Sequence, residues 1–184
     1  NFKAEFIHQN LVIQTNLIGG FLMAKALFNK HFKTHGGNIV NITADNKNGM
    51  PGMGHSGAAR AGVENLTKTA AWEWGSFGVR VNAIAPGWVA SSGLDTYPED
   101  MKHAIQNLKH AVPLGRIASE AEIASTVCFL LSKGANFITG QTLFVDGGAS
   151  MGSVPALFPL QNLHQPASET WDGFHRSITP KVLR

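Results

Sequence analysis

The segment His55-Ser56-Gly57-Ala58-Ala59-Arg60 carries three polar side chains that can do chemistry, and a fourth, Thr43, follows the run Asn38-Ile39-Val40-Asn41-Ile42. Imidazole is the side chain whose intrinsic proton affinity suits exchange at neutral pH, which makes His55 the best-matched proton donor of the set. A serine hydroxyl is far too weak an acid to protonate an alkoxide alone at neutral pH, and a guanidinium stays protonated, so neither Ser56 nor Arg60 serves as a proton relay. The Thr43 hydroxyl can donate a hydrogen bond to a carbonyl oxygen. Each residue also has a structural role open to it: helix capping or surface exposure for His55, and strand-end packing for Thr43. Asp45 and Lys47 read as solvated loop residues, and no metal site is expected.

These groups must be held by regular elements, and the hydrophobic periodicity supplies them. From Leu11 to Phe32, Leu17, Phe21, Ala24 and Phe28 recur at three- and four-residue steps, predicting an amphipathic helix that stops near Gly36-Gly37. Asn38 to Thr43 is short, β-branched and flanked by glycine-rich stretches, as in a buried parallel strand. An alanine-rich helix is predicted from Ser56 to Trp74, and a second strand from Val79 to Ile84, ended by Pro86-Gly87. Residues 98–110 read as helical. Ser119-x-x-Glu122 is a capping box that starts a helix from Glu120 to Leu131, and Thr142 to Val145 is a third strand turned away by Asp146-Gly147-Gly148.

Alternation of strands with helices of this length predicts an α/β fold, a doubly wound parallel sheet with helices on both faces, whose ligands bind in the loops after Ile42 and Ile84. The domain is expected to occupy residues 1–149, with a tail over 150–184 that packs locally or on a partner. The Gly49 to Gly54 stretch lacks phosphate-loop spacing and reads as a flexible wall of the substrate cleft. Cys128, the single cysteine, sits in an apolar run and is expected to be a buried thiol; Trp72 and Trp74 are expected in the core or an interface. With 15% charged residues and a net charge of +3 spread along the chain, nothing marks a nucleic-acid surface. No apolar stretch is read as a membrane span, and a reducing compartment is expected. The chain starts at Asn1, before a helical pattern, so an upstream portion is expected to be missing.

Four ordered segments carry a family resemblance over residues 10–149: Asn16-Leu17-x-Gly19, the strand Asn38 to Ile42, Arg80-Val81-Asn82-x-Ile84-x-Pro86-Gly87, and Ile138-Thr139-Gly140-Gln141 leading to Val145-Asp146-Gly147-Gly148. In these the chain resembles the short-chain dehydrogenase/reductase family, and His55 to Val63 looks like the segment of its peroxisomal trans-2-enoyl-CoA reductase branch and bacterial relatives. The resemblance implies a Rossmann-like fold, N-terminally truncated, whose missing βαβ units would carry the glycine-rich pyrophosphate loop.

In most of that family an Asn, a Ser, a Tyr and, four positions later, a Lys act together. Asn16 matches the Asn and would order a water relay, its other reading being an amide that caps a helix irregularity. Thr43 takes the Ser position, Ser56 the Tyr slot and Arg60 the Lys slot; Tyr97, the chain's one tyrosine, lies too far along to be a shifted copy. Arg60 would keep the lysine's electrostatic role toward the cofactor. Pro86, Gly87 and Val89 resemble the nicotinamide-contacting turn, and Ser91 stands where a family Thr touches the cofactor phosphate, although a plain β-turn uses Pro-Gly equally well.

Without the tyrosine, carbonyl reduction lacks its acid. Reduction of an α,β-unsaturated thioester asks less, since the enolate can be held by hydrogen-bond donors before carbon is protonated. The expected activity is therefore an NADP(H)-dependent reductase of trans-2-enoyl-CoA thioesters, with NAD as the alternative cofactor. The alternatives are an alcohol, aldehyde or 3-oxoacyl dehydrogenase of fatty-acid or terpenoid catabolism, and a non-catalytic cofactor-binding protein. The resemblance implies a homotetramer built partly through the helix from Ser56 and the last strand. The ending Lys181-Val182-Leu183-Arg184 is no Ser-Lys-Leu type signal, so the cytoplasm is expected rather than the peroxisome.

Overall fold

The computed structural model describes residues 6–152, 171–175 and 178–184, with side chains from residue 10 onward. Its first helical stretch runs through α1 (Phe6–Ile13), a π-helical stretch Gln14–Gly19, α2 (Gly20–Leu27), a second π stretch Phe28–Phe32 and a last turn α3 (Lys33–His35). Gly36, at φ 67°, ends it, and a Cβ there would stand 2.9 Å from the Gly78 carbonyl oxygen, so glycine is required by both conformation and space. β1 (Gly37–Ile42), α4 (Gly54–Trp74), β2 (Val79–Pro86), α5 (Lys102–Asn107), α6 (Glu120–Leu131) and β3 (Thr142–Val145) follow.

The sheet has the order β1-β2-β3. β1 and β2 pair in parallel from Gly37↔Val79 to Ile42↔Ile84, as the α/β pattern predicts. Side chains alternate across β2 and assign its two faces. Val79 and Val81 pack with Ala71 and Trp74 of α4, against Phe28 and Ala24, and Phe28 stacks on Trp74 with ring centroids 4.5 Å apart. Arg80 and Asn82, of opposite parity, reach the end of α6 and the residues after it, so helices cover both faces.

The chain divides into two compact units, residues 1–85 with 127–143 and residues 86–126 with 144–184. In the first, the resemblance-bearing motifs are structural staples. The Arg80 guanidinium donates to the carbonyls of Leu130, Ser132 and Ile138. Asn82, buried, donates to Ile138 O at 2.8 Å and accepts from Gln141 N at 3.1 Å. Thr139 Oγ1 accepts from Val81 N, while Gly140 N donates to Val81 O at 2.7 Å. These bonds satisfy the chain leading into β3, where a four-residue strand alone could not.

Two expectations are corrected. Cys128 is exposed, because α6 turns Leu130 inward and leaves Phe129 and Leu131 about half-exposed; an apolar run does not bury every member of a helix. Of the two tryptophans expected in the core or an interface, Trp74 is 8% exposed and lies in the core, whereas Trp72 is 89% exposed on the outer side of the helix, since residues two apart on a helix face different ways. Finally, one helix among the described residues, Asn10–His35, is 26 residues long and apolar enough by length and composition to cross a membrane. In this fold its Ala24, Phe28 and Phe32 pack on the core, while Leu11, Leu22 and Met23 stay exposed; Gln14, Thr15, Asn16 and Lys25 break the apolar run, so the length of the helix does not show as an unbroken apolar stretch.

Candidate functional site

Asn16 lies in the first π-helical stretch, Gln14–Gly19. A π turn inserts one extra residue into the helical ladder, a local distortion often found at functional sites. Its side chain lines a cavity of about 250 Å³ between α2, α4 and β1, together with Asn41, Ile42, Phe21, Val63 and Trp74. The helix irregularity of the alternative reading of Asn16 is thus present.

At the end of β1, Thr43 is 4% exposed. Its N–H and its Oγ1 both donate to Ile84 O, at 2.8 and 3.0 Å. Because Ile84 O keeps the backbone donor, rotation of the Thr43 hydroxyl toward another acceptor leaves no carbonyl unpaired. Strand-end packing and hydrogen-bond donation are therefore compatible at this residue.

α4 starts at Gly54, two residues ahead of the expected Ser56, so His55 and Ser56 occupy its first turn and both are half-buried. Ser56 and Arg60 are four positions apart and share one helix face. The Arg60 guanidinium reaches back to the strand end: Nη1 donates to Ile42 O at 2.7 Å, while Nε is buried with no hydrogen-bond partner. An orphan buried donor costs about 1–3 kcal/mol, so this N–H marks a place where an acceptor fits. The loop between β1 and α4 turns at Gly49 and Gly52, both with positive φ, and is pinned by Asn46 Nδ2 donating to Glu64 Oε1 at 3.0 Å. Sequence reasoning missed that clamp. The side-chain amide preceding the glycines was the only signal. Thr43 and Arg60 are brought together around Ile42, and Asn16 shares its cavity with the same residue.

In the second unit, Gly87 follows β2. Its N–H donates to Val145 O at 3.1 Å, and a Cβ at Gly87 would lie 2.8 Å from Asp146 Cα. Close backbone approach thus requires glycine here, with or without a ligand. Val89 bridges Ala118: Ala90 N donates to Ala118 O and Ala118 N to Trp88 O. The N–H of Val89 takes part in neither bond. Ser91 O accepts from Leu94 N and starts the turn Ser92–Thr96. The Asp146 carboxyl accepts from Gly148 N and Ser150 N. Burial pushes its pKa up, but hydrogen bonds from Ser150 and Gly148 outweigh that and hold it below the usual value. Beside it, Arg116 forms a two-pronged pair with Glu122 at 2.9 and 2.7 Å, and Glu122 closes the predicted capping box with Ser119.

Known proteins resemble the chain along these same segments. The family model described as enoyl-(acyl carrier protein) reductase matches residues 7–150. The peroxisomal 2,4-dienoyl-CoA reductase of Danio rerio is 39% identical over 145 residues, 77% of this chain and 48% of that protein. The 3-oxoacyl-[acyl-carrier-protein] reductase FabG of Staphylococcus epidermidis is 40% identical over 141 residues, 76% of this chain and 57% of that one. Among solved structures, a citronellol catabolism dehydrogenase of Pseudomonas aeruginosa is 51% identical with a TM-score of 0.70, covering 80% of this chain and 56% of that one. A gluconate 5-dehydrogenase of Burkholderia cenocepacia, in complex with NADP and tartrate, is 27% identical with a TM-score of 0.73, covering 82% and 59%. The chain spans about half the length of the curated relatives it matches. With the staples, the parallel strand pairing and the turn after β2 all in place, the chain belongs to the short-chain dehydrogenase/reductase family.

Proposed function

We propose that the protein is an NADP(H)-dependent reductase of trans-2-enoyl-CoA thioesters, with NAD as the alternative cofactor. The observation that carries this is the pair Ser56 and Arg60 on one face of α4, where a tyrosine–lysine acid would be needed for carbonyl reduction. When bound, the nicotinamide supplies hydride. Within the first unit, Arg60 Nε, buried and unpaired, fits an acceptor on such a cofactor; within the second, Pro86 and Gly87 shape the turn, the N–H of Val89 is a backbone donor, and Ser91 lies where the resemblance implies a phosphate contact. Thr43 turns its hydroxyl from Ile84 O to the thioester oxygen and holds the enolate's negative charge. The proton for the α-carbon comes from His55 or from water ordered by Asn16. The dienoyl-CoA reductase among the relatives supports a thioester with a conjugated double bond. The same reading carries a homotetramer and a cytoplasmic location.

A second reading, dehydrogenation of a terpenoid alcohol or aldehyde, is favoured by the 51% identity to the citronellol catabolism dehydrogenase. The two separate in one assay: NADPH oxidation by the full-length protein with a trans-2-enoyl-CoA, a 3-oxoacyl-CoA and a terpenoid aldehyde, for wild type and His55→Ala. Turnover of the enoyl thioester alone, lost in the variant, supports the proposal and assigns the proton donor. Turnover of only the oxo or aldehyde substrate selects the second reading, and cofactor binding without turnover selects a non-catalytic protein.

A further inference from the structure

Residues 178–184 lie as a strap over the segment that contains α5. Val182 is buried with Leu94 and Ile105, and Leu108, Ile117 and Leu183 pack around them. Polar bonds fix the register: the Asp95 carboxylate accepts from Lys181 N at 3.0 Å and Val182 N at 2.9 Å, and Gln106 Nε2 donates to Val182 O at 3.1 Å. A short turn, Lys181–Leu183, thereby has its leading N–H groups satisfied by one carboxylate, as an N-cap would do.

Between the strap and the segment beneath it lies a cavity of about 520 Å³, within the ~300–1,000 Å³ range of small-molecule sites. Ile105, Ile117, Ile178 and Leu183 give it apolar walls, and Lys109 and Arg184 also line it. Arg116 lines it too, but its charge is matched by Glu122. No Asp or Glu is among the described lining residues. Asp95 is close enough to feel Arg184 and Lys181 and keeps its charge while it accepts from the strap backbone, so it offsets Arg184, and Lys109 leaves the cavity with a positive balance. Apolar walls with cationic groups and no acidic lining favour a ligand that buries a chain and presents an anion.

We propose that this cavity is a binding site for a small anion on a short apolar chain, a medium-chain carboxylate or its like, and that the strap is the site's removable wall. Ile178, Leu183 and Arg184 belong to the strap and form part of the lining, so the site exists only while Asp95 holds residues 181 and 182 in place. The inference does not depend on the reaction proposed above, because none of the residues named for that reaction lines this cavity.

The test is isothermal titration of the full-length protein with octanoate and, as the uncharged comparison, octanol, for wild type, Lys109→Gln and Asp95→Asn. Hydrogen exchange of α6 serves as the check that each variant remains folded. Saturable octanoate binding at one site, at least tenfold tighter than octanol and weakened at least fivefold in both variants, is the expected result. Absent saturable binding, equal binding of octanol, or octanoate affinity unchanged in either folded variant would overturn the proposal. If one variant fails to fold, the other decides by the same criterion.

Discussion

The staple around Arg80, Asn82 and Thr139 and the helix start around His55, Ser56 and Arg60 belong to the same compact unit but are constrained in different ways. In the staple, every named side chain is engaged by at least one backbone group, and the buried Asn82 both donates and accepts. At the helix start, Arg60 has one short bond and one orphan donor. Hydrogen-bond satisfaction thus preserves the fold's motifs whatever the reaction, whereas the helix start has room to exchange one chemistry for another. The first region carries the family's motifs, and the second is where the proposed function puts substrate choice.

The largest expected effect probes the first region. Asn82→Ala leaves Gln141 N without its acceptor, while Ile138 O keeps its bond from Arg80; at about 1–3 kcal/mol for one unsatisfied group the loss is about 1–3 kcal/mol, read from the denaturant midpoint. If the midpoint does not move, the motifs are not staples. Glu122→Gln removes the charge from a mostly buried pair and weakens the capping box, with an expected loss of about 1–3 kcal/mol. Burial pushes the Glu122 carboxyl up, but the Arg116 hydrogen bond and the Ser119 and Trp171 backbone donors more than offset it and leave the pKa lowered. A lowered folded-state pKa means that the contribution is present above the unfolded value of about 4.3 and disappears as pH falls through the folded value. Wild type and Glu122→Gln should therefore converge in stability in acid.

Asp95 gives a smaller, local effect. Hydrogen bonds from Val182 and Lys181 lower its pKa, so by the same sign the strap is held above the unfolded aspartate pKa of about 3.9 and released as pH drops through the lower folded value. Protection of the Lys181 and Val182 amides, measured by hydrogen exchange, should fall in that range and be low at all pH values in Asp95→Asn. The second region should show the least structural cost. Ser56→Tyr with Arg60→Lys should restore an acid for carbonyl chemistry, raising 3-oxoacyl turnover relative to enoyl turnover at least tenfold. A double variant with no change in that ratio would remove the link between the slot and the substrate.

Much of the fold was legible because its signals are local. The box Ser119-x-x-Glu122 places the start of α6 at Glu120, and Pro86-Gly87 and Asp146-Gly147-Gly148 turn the chain where such residues must. The two π stretches of the first helix were not legible, since one inserted residue barely disturbs a 3.6-residue period. Nor was the direction of Cys128, Trp72 and Trp74, which depends on what each helix packs against. At the site, residue types pointed to Thr43 and Arg60, but only the structure shows that both meet backbone carbonyls at the ends of β1 and β2. The strap lay beyond sequence reasoning, because Asp95 and Val182 pair across 87 positions.

The most direct measurement of the central claim follows the hydride itself. Full-length protein is supplied with NADPH deuterated at the transferred position and with a trans-2-enoyl-CoA and a 3-oxoacyl-CoA in competition, and the products are read by mass spectrometry. The account predicts deuterium on the β-carbon of a saturated thioester and none in a 3-hydroxyacyl product. Deuterium carried instead by the carbinol carbon of the 3-hydroxyacyl thioester would contradict it, and would show that Ser56 and Arg60 support the carbonyl chemistry they were argued to lack.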